Sequence, residues 1–130
     1  MEETLELTLV PDTNAPSTAR SALTRSFSAS LTVRGLDDAR LLVTELISNS
    51  LRHGAMRSSD RVSLRAQVTD GLMRVEVGDP GRNGPVQMRE PGAQVGGYGL
   101  VMVQRLSKRW GVERGGETVV WFEMPSRVGR

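Results

Sequence analysis

The sequence predicts an α+β fold: a two-layer sandwich in which a mixed, mostly antiparallel sheet carries helices on one face. Three observations point to it. Five short stretches, around residues 5–9, 62–68, 72–77, 110–112 and 118–124, have the alternation or β-rich composition of strands. Apolar residues at three-and-four spacing mark helices before, between and after them. Asp70-Gly71 and Gly115-Gly116 are tight-turn signals that fold neighbouring strands back as antiparallel hairpins.

In chain order, Leu5, Leu7 and Leu9 alternate with Glu6 and Thr8, and Pro11 ends the first strand. Residues 16–30 read as a helix, with Pro16 in the first turn and Ala19, Ala22, Leu23 and Phe27 on one face. Gly35 marks a break. The central helix follows over residues 41–54, with Asp37 or Asp38 as its cap and Gly54 at its end. Its stripe of Ala39, Leu42, Val43, Leu46 and Ile47 faces a core, and Glu45, Asn49 and His53 form a row along the stripe's edge. A carboxylate, an amide and an imidazole beside a core are costly without partners. Such a row lines a pocket or grazes solvent.

A polar loop, Arg57-Ser58-Ser59-Asp60, leads into the central hairpin, which ends in Gly78-Asp79-Pro80-Gly81. From there to Gly99 the chain is glycine-rich and lacks periodicity, as functional or disordered loops do. Gly96-Gly97-Tyr98-Gly99-Leu100 opens a helix that ends near Lys108, and a last hairpin turns at Gly115-Gly116. Residues 125–130 form a frayed tail, the core spans about residues 5–124, and residues 1–130 make one domain.

Composition narrows the chemistry. Cysteine is absent and histidine occurs once, which excludes disulfides, thiol catalysis, Cys-ligated zinc and multi-histidine metal sites. No apolar run approaches a membrane span and no signal pattern opens the chain, so the cytoplasm is the expected location. The net charge of +2 comes from scattered basic residues, so no nucleic-acid partner is expected.

Four motifs carry candidate chemistry. Glu45 sits one turn before Asn49. An amide oxygen suits Mg²⁺, which takes few protein ligands, and a carboxylate four residues earlier suits a general base. Asp79 at a strand tip can accept a hydrogen bond from an adenine amino group, while Gly81 lets backbone approach a base; a plain turn is the simpler reading of the tripeptide. Glycines at the start of a helix expose N–H groups that attract phosphate, or form a flexible joint. Thr118 can point inward beside Asp79, or serve β-propensity alone.

The order of these pieces resembles the Bergerat-fold ATPases, the superfamily of gyrase, MutL and histidine kinases. It most resembles their anti-sigma-factor serine/threonine kinase branch, the actinobacterial members especially. The residues that carry the resemblance are the run from Glu45 to Gly54, Val75 to Gly81, Gly97-Tyr98-Gly99-Leu100, Trp110-Gly111 and Gly116 to Trp121. It spans essentially the whole chain. It implies a Bergerat sandwich that binds ATP and Mg²⁺, with Asn49 on the metal and Glu45 as base for a substrate serine. Asp79 would meet the adenine, with Gly81 and Thr118 shaping its pocket. Gly97, Tyr98, Gly99 and Leu100 would lie at the phosphates, and residues 82–98 would form a lid. His53 would line the pocket or serve as a structural side chain. Many relatives carry arginine where Tyr98 stands; its loss bears on phosphoryl transfer rather than on binding, and Arg82 and Arg89 are the lid's only cations.

The expected function is thus ATP-dependent phosphorylation of a serine or threonine on an anti-anti-sigma (STAS-type) partner, controlling release of a sigma factor. The expected partners are that protein and the sigma factor, with room for a homodimer. The alternative is a catalytically inactive module that sequesters a partner and uses ATP to order its lid. A detached histidine-kinase ATPase domain ranks third, because no phosphoacceptor-helix region precedes the fold.

Overall fold

A computed structural model describes residues 3–53, 56–81 and 99–127. In chain order these form β1 (Glu3–Leu9), α1 (Ala15–Phe27), α2 (Val33–His53), β2 (Val62–Thr69), β3 (Leu72–Asp79), α3 (Gly99–Leu106), β4 (Arg109–Arg114) and β5 (Thr118–Pro125). The strands make one five-stranded sheet in the order β1-β2-β3-β5-β4. Every pairing among the described residues is antiparallel, so the sheet is more uniform than the mixed one expected.

Alternation along each strand decides which face is buried. Leu64, Ala66 and Val68 of β2, Met73, Val75 and Val77 of β3, and Phe122 and Met124 of β5 all lie in the core. Phe27 of α1 and Leu42, Val43, Leu46 and Ile47 of α2 close over them. α2 packs on β3 and β5, with α1 and α3 on its flanks. Asp70 and Gly71 both have positive φ, 43° and 83°, the geometry of a type I′ turn, which fits the twist of the β2–β3 hairpin.

The beginning of α2 departs from expectation. Gly35 is not a break and neither Asp37 nor Asp38 is the cap; the helix starts at Val33, where the Thr32 hydroxyl accepts the Gly35 N–H at 2.9 Å. Amides of a helix's first turn lack intrahelical partners, so a threonine there satisfies one and the glycine costs little. α1 also stops at Phe27, short of Ser30, and β4 runs from Arg109 to Arg114 rather than over three residues.

The face of the sheet away from the helices is held by ion pairs. Glu123, nearly buried, takes Arg109 at 2.6 Å and Arg74 at 3.2 Å, and Arg74 also stacks on the Trp121 ring at 4.2 Å. Burial alone pushes the Glu123 carboxyl up. Hydrogen bonds from Arg109 and Arg74, with their charges, outweigh it and hold the group below its ordinary 4.5. A carboxyl with a depressed folded-state value adds stability that is present above pH 4.5 and lost as the pH falls through the folded value. Urea unfolding of Glu123→Gln should therefore show a smaller loss of stability than wild type between pH 6 and about pH 3. An equal loss would mean that the acid sensitivity arises elsewhere.

Candidate functional site

The site is built at one end of the sandwich. In the β3–β5 register Asp79 stands opposite Thr118, the two are 9% and 6% exposed, and both continue the helix-covered alternation of Val77 and Val120. Asp79 Oδ1 accepts the Gly81 N–H at 2.7 Å, folding the chain back on the strand tip. Gly81 has φ +70°, and a Cβ placed on it would lie 2.2 Å from Thr118 Oγ1. The threonine hydroxyl thus fills the space a side chain would need. Asp79's second oxygen is free of this turn bond and can accept from a ligand amino group.

The direction of α2 bears on where its motif lies. At the start of α2, the space beside Gly35 reaches Met124, which pairs with Met73 at the opposite end of the sheet. The far end of α2 leads into β2, whose Ser63 pairs with Gly78, next to Asp79. Glu45 and Asn49, in the last turns of α2, therefore run toward Asp79 and Thr118. α3 is oriented the other way. Its last turn leads to Lys108, whose N–H bonds the Glu123 carbonyl at 2.7 Å, near the end of the sheet where Met73 pairs with Met124. A helix edge and a strand tip distant in sequence thus run toward one end of the fold.

Glu45 and Asn49 are half-buried, as their place on the edge of the stripe requires. Asn49 Oδ1 accepts from Arg52 Nη2 at 2.7 Å, which fixes the oxygen side of the carboxamide. His53 is the last residue of α2 and Gly99 and Leu100 the first of α3. The His53 and Leu100 side chains, Gly97, Tyr98, Gly54 and the expected lid at 82–98 lie outside the described residues. Among the described residues no group of three or more acidic or histidine side chains could hold a metal. Mg²⁺, which keeps several waters and needs one or two protein ligands, is the divalent ion that suits Asn49's oxygen.

Sequence reasoning did not single out Arg52, nor the glycine before Asp79. A Cβ on Gly78 would lie 2.6 Å from Ser63 Oγ and 2.9 Å from Glu117 Oε2. A glycine inside a strand was the available signal. A shallow groove of about 250 Å³, lined by Thr4, Glu6, Arg65, Gln67, Arg74 and Glu76 among others, lies on the opposite face and takes no part in this site.

Fold and site together define a two-layer sandwich with an acidic strand tip, a closely approached glycine and an amide-bearing helix at one end, the form of a nucleotide-binding ATPase domain. The chain belongs to the histidine kinase-like ATPase domain family, whose profile matches residues 9–124. Membership implies ATP binding. The chain is similar to two solved structures of the blue-light activated histidine kinase EL346 from Erythrobacter litoralis. Its histidine kinase domain is 34% identical with a TM-score of 0.54, over 69% of this chain and 44% of that one. The structure of the kinase itself is 28% identical with a TM-score of 0.62, over 85% of this chain and 40% of that one. This chain thus spans less than half the length of either. No curated protein sequence matches it. No helix among the described residues is long and apolar enough to cross a membrane.

Proposed function

We propose that this protein is a Mg²⁺- and ATP-dependent protein kinase of the anti-sigma type, which phosphorylates a serine or threonine on an anti-anti-sigma (STAS-type) partner and so controls the availability of a sigma factor. The observation that supports it most is the shared end of the fold: Asp79 paired with Thr118 and folded onto Gly81, with Glu45 and Asn49 running toward them. ATP would supply the phosphoryl group and Mg²⁺ its charge neutralisation. Asn49 Oδ1 would ligate the metal. Asp79 would accept from the adenine amino group, with Gly81 and Thr118 flanking the base. Gly97, Tyr98, Gly99 and Leu100 would border the phosphates, and His53 would stand one turn beyond Asn49. Glu45 would take the proton of the attacking hydroxyl as its oxygen bonds the transferred phosphorus and ADP leaves.

Label transfer from γ-labelled ATP tests this directly. The expected result is an acid-stable phosphate on the partner, and Glu45→Gln should lower the rate on the order of 100-fold while leaving ATP affinity nearly unchanged. Nucleotide-dependent partner binding without transfer would instead identify the sequestration module. The 34% identity to a histidine kinase domain favours a second reading, phosphorylation of a histidine. Phosphohistidine is acid-labile, so label that survives at neutral pH but not in acid would select it.

A further inference from the structure

We infer that Glu117 is a positioning residue for the nucleotide site: laid across Gly78 and paired with Arg65, its carboxylate holds Thr118 against Gly81 and thereby sets affinity for the base end of the nucleotide. The inference rests on the ATP reading above.

Glu117 immediately precedes β5, so its side chain leaves the sheet on the face opposite to Thr118. Its Oε1 lies 3.4 Å from Arg65 Nη2. Arg65 belongs to β2, and β3 lies between β2 and β5, so the carboxylate reaches across a whole strand. It crosses at Gly78, where an added Cβ would stand 2.9 Å from Oε2. A glycine is what leaves the crossing open. Gly78 also pairs with Val119 and adjoins Asp79, so the clasp spans the strand ends that place Asp79 opposite Thr118.

The surroundings show why such a tether matters. Gly115 and Gly116, in the adjoining turn, have open space around them, and the Gly115 N–H bonds only across the turn, to the Glu117 carbonyl at 3.1 Å. The ion pairs of Glu123 lie toward the other end of β5, beside Pro125, and cannot steady this tip. The Arg65–Glu117 pair is 53% and 39% exposed, so its contribution is modest and screened by salt.

The test is calorimetric titration of the full chain with a non-hydrolysable ATP analogue and Mg²⁺, with magnesium tripolyphosphate as a ligand that lacks the base. Glu117→Gln should weaken analogue binding about threefold at low salt, and the difference should shrink toward none near 0.5 M salt. Gly78→Ala, made together with Ser63→Ala to remove the nearer clash at 2.6 Å, displaces the same carboxylate and should weaken it similarly. With Ser63→Ala present throughout, adding Glu117→Gln to Gly78→Ala should weaken binding no further than either change does, since both then act on one contact. Tripolyphosphate binding should not change, and in a Thr118→Val background Glu117→Gln should have no further effect. Exchanging the charges, Arg65→Glu with Glu117→Arg, should restore affinity. If wild type binds the analogue and the variants match it, or if they weaken tripolyphosphate equally, this inference alone is overturned. If wild type binds no nucleotide, the ATP reading falls and the inference falls with it.

Discussion

Gly81→Ala is expected to destabilise the fold by about 2–4 kcal/mol and to weaken ATP binding at the same time. Two separable causes combine. Gly81 has φ +70°, which costs an L-residue about 1–2 kcal/mol. Its new Cβ would also meet Thr118 Oγ1 at 2.2 Å, so either the hydroxyl or the turn must move. Moving the turn breaks the Gly81 N–H bond to Asp79, and the carboxylate that should face the adenine loses its orientation. Urea unfolding and nucleotide titration read the two effects separately. Adding Thr118→Ala should recover the steric part of the stability loss, leaving the backbone strain of about 1–2 kcal/mol, without recovering affinity. A Gly81→Ala protein with wild-type stability and affinity would show that this close approach does not govern the site.

Asn49→Ala is expected to abolish the magnesium dependence of ATP binding, with a loss of affinity at saturating Mg²⁺ on the order of 100-fold. Asn49 offers the one neutral oxygen on the row, and Mg²⁺ with so few protein ligands depends heavily on each. Fold stability should change little, because the side chain is half-buried and its oxygen accepts from an exposed arginine on its own helix. Titrations with and without Mg²⁺, alongside a thermal melt, check both halves. Equal Mg²⁺ dependence in wild type and variant would remove Asn49 from the metal site.

Much of this was legible in the residues. Ala39, Leu42, Val43, Leu46 and Ile47 are all in the core, because their spacing leaves a helix only one way to bury them. The strands of both hairpins follow from alternation and turn chemistry in the same way, and Asp79 and Thr118 were each marked by their place at a strand end. The beginning of α2 was not legible. Gly35 has the composition of a break, but Thr32 supplies a hydrogen bond that makes it a first-turn residue. The clasp over Gly78 was invisible for a different reason: Arg65 and Glu117 are 52 residues apart, and no local pattern links them.

The sequence by itself determined the period of each element, the face it buries and the order of the motifs, since these depend on neighbours along one helix or strand. Only the tertiary structure decided that Asp79 stands opposite Thr118 and that Gly81 has no room beside the threonine hydroxyl. Strand register and helix direction are set by packing of the whole core, where each choice is stabilised by residues distant in the chain.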